Sequence, residues 1–137
     1  MTRGSRPGET KGKPIPSTLV VDAANVVGAR PDGWWKDRAG AARRLHEELL
    51  VADVPGDEVV LVLEGGAKAG VKPGRDAHVR TVHAPRDGDS AILAEARRAA
   101  EQGRQVTVVT ADRALAANVG GVGARVVGPS WLLDRLA

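Results

Sequence analysis

The sequence predicts an α/β fold in which a five-stranded parallel sheet carries helices on both faces. Three observations predict it. Short apolar runs, beginning with Thr18 to Val21, read as strands buried on both sides. Segments with apolar residues at helical spacing separate most of them. Strands alternating with helices form parallel sheets through right-handed crossovers. At 137 residues the chain makes one domain, without room for a second core.

The elements follow in order. Met1 to Ser17 is rich in Gly, Pro, Thr, Ser and charge, and is expected to be disordered because it buries too little apolar surface. It reads as a plain leader or as a non-specific nucleic-acid tether. The domain is expected over 18–137. Thr18 to Val21 is the first strand and runs into Asp22. Val26 to Trp35 reads as a loop ending in Trp34 and Trp35. Asp37 to Ala52 reads as a helix with Ala41, Leu45, Leu49 and Ala52 on one stripe, broken by Pro55-Gly56-Asp57. Glu58 to Leu63 is the second strand, ending at Glu64-Gly65-Gly66. A Gly- and Lys-rich loop reaches about Ala77, and Val79 to His83 is a third strand. Pro85 to Gly88 is a turn. Asp89 to Gln102 is the clearest helix, with Ile92, Leu93, Ala96, Ala99 and Ala100 on its apolar face and Gly103 as its stop. Gln105 to Thr110 is the fourth strand, Asp112 to Asn118 a short helix, and Arg125 to Val127 the fifth strand. Trp131 to Leu136 is a terminal helix whose Trp131, Leu132 and Leu136 pack back on the sheet.

Composition removes several function classes. The chain has no Cys, which excludes disulfides, thiolate metal sites and a Cys nucleophile. His46, His78 and His83 lack metal-ligand spacing and read as structural or surface residues. No apolar run is long enough to span a membrane, and the basic N-terminus lacks the apolar core of a secretory signal, so a cytoplasmic location is expected. The core must be built from Val, Ala and Leu, since Phe and Tyr are absent. There is no Walker A motif and no GxGxxG after the first strand; Gly120-Gly121-Val122-Gly123 follows a helix instead. Ala24 breaks a DxD pattern at the first strand, and a GxSxG nucleophile elbow is absent.

The net charge of +3 resides in residues 1–17, where Arg3, Arg6, Lys11 and Lys13 face Glu9 alone. The remainder is neutral, so charge matters by location. Between Gly65 and Arg86 stand Lys68, Lys72, Arg75, Arg80 and Arg86 against Asp76. A basic loop beside a group of acids suits the holding of phosphates near metal ions.

Acids stand at strand ends or helix starts in four segments: Asp22, Glu64, Asp87 with Asp89, and Asp112. In a parallel sheet these positions share the carboxyl edge, where ligands bind. Crowded carboxylates repel unless a cation intervenes, and oxygen donors without His or Cys favour Mg²⁺ or Mn²⁺. Such ions orient a water and stabilise the leaving oxygen in phosphoester hydrolysis. Thr110 lies two residues before Asp112 and makes a paired polar site, and Asn25 follows Asp22 closely. Plainer roles stay open at this point: Asp22, Asp89 and Asp112 each suit a cap, and the strand before Glu64 ends short of the site in one reading. Trp34 and Trp35 suit either packing against the first helix or stacking on unpaired bases.

Three segments together resemble a known family. Val20-Val21-Asp22-Ala23-Ala24-Asn25-Val26-Val27-Gly28 is similar to the DGxNVxG opening of NYN domains, in particular the bacterial YacP-like group of the PIN-like nuclease superfamily. Ala23 stands where the family usually has Gly. Asp89-Ser90-Ala91-Ile92 resembles that superfamily's acidic helix start, and Thr110-Ala111-Asp112-Arg113-Ala114-Leu115 resembles its later Asp segment. The resemblance runs from about Thr18 to the C-terminus. It implies a three-layer PIN-like sheet in strand order 3-2-1-4-5, and Mg²⁺- or Mn²⁺-dependent ribonuclease activity in RNA processing or decay. Asp22, Asp89 and Asp112 would be the catalytic, metal-binding acids, with Asp87 or Glu64 as an additional ligand and Asn25 and Thr110 in support. Lys68, Lys72, Arg75 and Arg80 would hold the RNA.

The expected function is therefore a metal-dependent endoribonuclease acting through a metal-activated water. Two alternatives stay open: an RNA-binding module with a degenerate metal site, and a small-nucleotide phosphohydrolase. RNA is the expected partner, no membrane is involved, and both a homodimer and a toxin role as in some PIN-like proteins stay open.

Overall fold

The computed structural model describes residues 15–137, and thirteen short elements form among them. Strand β1 spans Ser17–Asp22 and passes directly into helix α1, Ala23–Gly28. A 3₁₀ turn at Trp34–Lys36 leads to α2, Arg38–Val51. Strand β2, Glu58–Leu63, is followed by a 3₁₀ segment, Gly65–Gly70, and by the hairpin β3, Gly74–Asp76, and β4, Val79–His83. Then come α3, Gly88–Glu101, β5, Gln105–Val109, and α4, Arg113–Gly120. Strand β6, Arg125–Val127, and α5, Pro129–Leu136, close the fold.

The sheet has six strands in the order β3-β4-β2-β1-β5-β6. The expected five-stranded parallel sheet is thus incomplete. Its five strands are present and parallel in the expected relative order, but β3 adds an antiparallel edge through Gly74 opposite Thr81 and Asp76 opposite Val79. This strand is polar and exposed, so it carries none of the apolar periodicity by which buried strands are read. Ala77 takes a left-handed conformation (φ 53°) in the tight turn between β3 and β4.

Two other expectations fail for local reasons. Val26 to Trp35 is not a plain loop, because α1 starts at once behind Asp22, which caps it by accepting from the Asn25 amide. Its six residues are too few to show a helical period. The long Gly- and Lys-rich loop is likewise largely structured, as the 3₁₀ segment and β3. Ser17 belongs to β1; the disorder expected for 1–17 otherwise falls mainly on residues 1–14, which lie outside the described residues.

Side-chain alternation divides the core between the two sheet faces. Leu19, Val21, Leu61 and Leu63 meet Ala42, Leu45 and Leu49 of α2 and Leu132 of α5. Val20, Val60, Val62 and Val108 meet Ile92 and Ala96 of α3 and Leu115 and Val119 of α4. The expected packing of the terminal helix on this core is present, with Leu132 fully buried and Trp131 and Leu136 partly so. His78 and His83 bond through Nε2 to the Leu49 and Val71 carbonyl oxygens, at 3.1 and 2.7 Å. Among the described residues no helix is long and apolar enough to cross a membrane.

Candidate active site at the carboxyl edge of the sheet

The chain leaves β1 toward β2 on one side and later returns to pair β5 on the other. The carboxyl ends of β1 and β5 therefore flank the switch point of the sheet, where a crevice forms in open α/β folds. Asp22 is the last residue of β1, two positions after Val20, so its side chain faces α3 and α4 with that residue. It is only 5% exposed.

A polar network ties the two strand ends together. Asp22 Oδ2 accepts from Asn25 Nδ2 at 2.6 Å and from Thr110 Oγ1 at 2.8 Å. The Thr110 hydroxyl in turn accepts from the Asp112 amide at 3.1 Å, and Asn25 Oδ1 accepts from the Ala111 amide at 3.3 Å. Both supporting residues expected from sequence thus hold the buried carboxylate in one orientation. Asp22 Oδ1 carries only a long bond from the Asn25 amide, 3.4 Å, and is the oxygen with capacity to spare. Burial pushes the Asp22 carboxyl above its ordinary range, against the lowering effect of the Thr110 and Asn25 bonds; the Glu64 charge adds to the rise.

The other acids arrive on helix starts. Asp112 caps α4, its Oδ1 accepting from the Leu115 amide at 2.9 Å. Asp87, rather than Asp89, caps α3: its two oxygens accept from the Ser90 amide and hydroxyl at 2.8 and 3.3 Å. Those bonds hold its carboxyl below the usual range. Asp89 sits in the first turn of α3, exposed. Partial desolvation raises its carboxyl, followed by the charges of Asp112, Asp22, Asp87 and Glu64. Glu64, just beyond β2, accepts from the Gly88 amide at 2.6 Å. Asp89 thus interacts with the charges of the other four acids, and Asp22 with that of Glu64.

They do not form a closed metal cage. Among the described residues no group of three or more His, Cys, Asp or Glu side chains stands ready to hold an ion by itself. Mg²⁺, however, usually keeps several waters and takes one or two carboxylates plus substrate phosphate. An all-oxygen set with a spare Asp22 Oδ1 fits that looser mode and does not fit Zn²⁺.

The basic residues divide. Lys68 is near the acidic edge, its Nζ donating to the Ala84 carbonyl oxygen at 2.9 Å just beyond β4. Lys72 is exposed on the loop after the 3₁₀ segment. Arg75 and Arg80 instead ion-pair with Glu58 at the start of β2, and Arg80 also with Glu95 at 2.7 Å. They line a separate polar cavity with Thr18, toward the amino end of the strands. Composition showed a basic segment but not that the β3–β4 hairpin folds two of its five cations back.

Sequence reading missed a cavity of about 380 Å³ that opens beside the acids. Ala23 and Ala24 of α1 line it with Trp34, Arg38, Glu64 and Arg86. The Arg38 guanidinium stands over the Trp34 ring, 4.8 Å from its centre. Trp34 is half-buried and meets Trp35 edge-on at 6.0 Å, while Trp35 is 57% exposed. The Trp34-Trp35 pair was the available signal, but no periodicity links it to Arg38 and Arg86.

No protein-family model matches the chain, and no curated protein matches it in sequence. Solved structures do. Two crystal structures of Rae1 (YacP) from Bacillus subtilis, one of a point mutant, align with a TM-score of 0.64. They are 20% and 19% identical, and each alignment covers 88% of this chain and 73% or 74% of the other. The chain has a YacP-like fold, as its motifs imply.

Proposed function

We propose that the chain is a metal-dependent ribonuclease that hydrolyses RNA phosphodiesters at the carboxyl edge of its sheet, in RNA processing or decay in the cytoplasm. One observation carries the reading. A buried carboxylate at the switch point, Asp22, is fixed by Thr110 and Asn25 and interacts with the charges of Glu64 and Asp89. Burying and crowding charge in this way destabilises a fold, and such sites are commonly functional. The YacP-like fold supports the same reading.

In this proposal Mg²⁺ or Mn²⁺ would be held by one or two carboxylates drawn from Asp22, Asp89 and Asp112, with water and substrate phosphate supplying the other oxygens. When bound, the ion supplies an activated water and shields the charge of the leaving oxygen. Thr110 and Asn25 keep the Asp22 carboxylate from turning away, and they fix the start of α4 so that Asp112 stays beside it. Asp87 is largely occupied in capping α3, so its part is electrostatic; so is that of Glu64, with one oxygen bound to Gly88. Lys68 and Arg86 are the cations expected to meet the RNA backbone near the acids, with Lys72 along the approach. Arg75 and Arg80, engaged with Glu58 and Glu95, have a structural part.

Purified Asp22→Asn and Asp112→Asn proteins are expected to lose Mn²⁺-dependent cleavage of single-stranded RNA by about a hundredfold or more while keeping a native circular dichroism spectrum. Wild-type turnover in either variant would remove that residue from the chemistry. A second reading, an RNA-binding module without turnover, is favoured by the lack of a closed acidic cage. The same assay separates the two: salt-sensitive RNA binding without cleavage in either metal supports the second.

A further inference from the structure

The cavity between α1, α2 and the 3₁₀ segment, lined by the two residues that follow Asp22, has features that phosphodiester hydrolysis alone does not require. Its volume, about 380 Å³, lies in the range of small-ligand sites. It owes its room to small side chains, with Ala23, Ala24 and Ala42 on the helix side and Gly65 and Gly66 across from them. One wall is the Trp34 indole with the Arg38 guanidinium over it. Glu64 and Arg86 supply the remaining charges, and both belong to the edge that carries the acids.

This combination suits one chemical shape. The Arg38 guanidinium covers one face of the Trp34 indole, so the pair offers a flat cationic surface backed by an aromatic ring, and RNA-binding proteins stack unpaired bases on such groups. Among the described residues of the lining Glu64 is the one carboxylate, against Arg38 and Arg86, so the apolar floor takes the base and the cations meet the phosphate. Arg86 lies between the cavity and the start of α3, where an adjoining phosphate would meet it. A base within a duplex could not reach in, which makes the cavity selective for unpaired strands.

We infer that this cavity receives one unpaired nucleobase flanking the scissile phosphodiester, stacked on the Trp34–Arg38 wall, with Arg86 contacting the neighbouring phosphate. The inference rests on the ribonuclease reading above. It makes Trp34 and Arg38 substrate-positioning residues and gives the Trp34-Trp35 pair a role beyond packing.

The test is fluorescence anisotropy with a labelled single-stranded RNA hexamer in EDTA, beside an abasic hexamer of the same backbone. Wild-type protein is expected to bind the base-bearing strand about tenfold more tightly than the abasic one. Trp34→Ala should bring the two to the same level, and Trp34→Phe should restore most of the difference. Ala24→Leu, at an exposed helix position on the cavity floor, should block the base without touching Trp34. Equal binding of the two strands by wild-type protein overturns the inference, and needs no variant to fold. So does undiminished preference in both folded Trp34→Ala and Ala24→Leu. Parallel incubation with Mn²⁺ separates the two readings. Cleavage with base-blind binding removes the pocket and keeps the ribonuclease. Base binding that depends on Trp34, without cleavage, keeps the pocket and removes the reaction.

Discussion

Asp22 holds the conflict between stability and function in this molecule. Its carboxyl is raised by burial more than its hydrogen bonds lower it, so the folded chain keeps that proton to higher pH than the unfolded chain does. Between the two values the folded state binds more protons, and the stabilisation from this group falls as pH rises through that interval. At neutral pH its charge is a net burden. Asp22→Asn should therefore melt at a higher temperature than wild type at pH 7, with the gap narrowing as the pH is lowered through the carboxylate range. A lower melting point at pH 7 would mean that the Thr110 and Asn25 bonds outweigh burial. Thr81 offers a contrast without function. Its hydroxyl is buried in β4 and has no hydrogen-bond partner among the described residues. An unpaired buried hydroxyl costs about 1–3 kcal/mol, so Thr81→Val should gain about 1 kcal/mol in urea unfolding with cleavage unchanged.

At the scale of elements, close approach decides what the sequence alone leaves open. The 3₁₀ segment after β2 lies against the first turn of α2, and Gly70 makes this fit. A Cβ there would overlap the Ala39 carbonyl oxygen, which is backbone and cannot swing aside. Gly70→Ala should cost about 1–3 kcal/mol by urea unfolding, and should disturb the cavity wall at Gly65 and Gly66 as well. A neutral result would show that the segment is free to move off the helix. Most elements were legible because their periods are long or their ends carry recognisable caps. Asp37 was expected to open the helix running to Ala52 and instead caps it as α2, its Oδ1 accepting from the Gly40 amide at 2.8 Å. Short or exposed pieces were not legible: α1 has too few residues for a period, and β3 buries none of its side chains.

Across the whole molecule, partial desolvation and then acids from three other chain positions and from its own helix cap raise the Asp89 carboxyl, and the repulsion opposes folding. Cation binding to the folded state alone would relieve it and raise the melting point by mass action. Millimolar Mn²⁺ should raise the melting temperature of wild type, with a much smaller shift in Asp22→Asn and Asp89→Asn. Equal shifts in all three would place the ion elsewhere. Positive charge is partitioned in the opposite sense. Arg75 and Arg80 are drawn to Glu58 at the far end of β2, which leaves Lys68 and Arg86 beside the acids. Burial pushes Glu58 up, but the two guanidiniums outweigh it and hold the carboxyl below its usual range, as expected for a structural ion pair.

The sequence by itself determined the parallel α/β core, the relative order of its five parallel strands through the family resemblance, and the acids that reach the carboxyl edge. It could do so because buried strands and amphipathic helices write their environment into local periodicity, and a strand's direction fixes where its last residue emerges. The tertiary structure decided everything that depends on neighbours distant in the chain. It set which oxygen of Asp22 is spare, folded β3 against β4 so that two of the five cations of the basic segment left the site, and brought Trp34, Arg38 and Arg86 around one cavity. No local pattern records these outcomes, because each arises from packing and charge between segments that meet only once the sheet has formed.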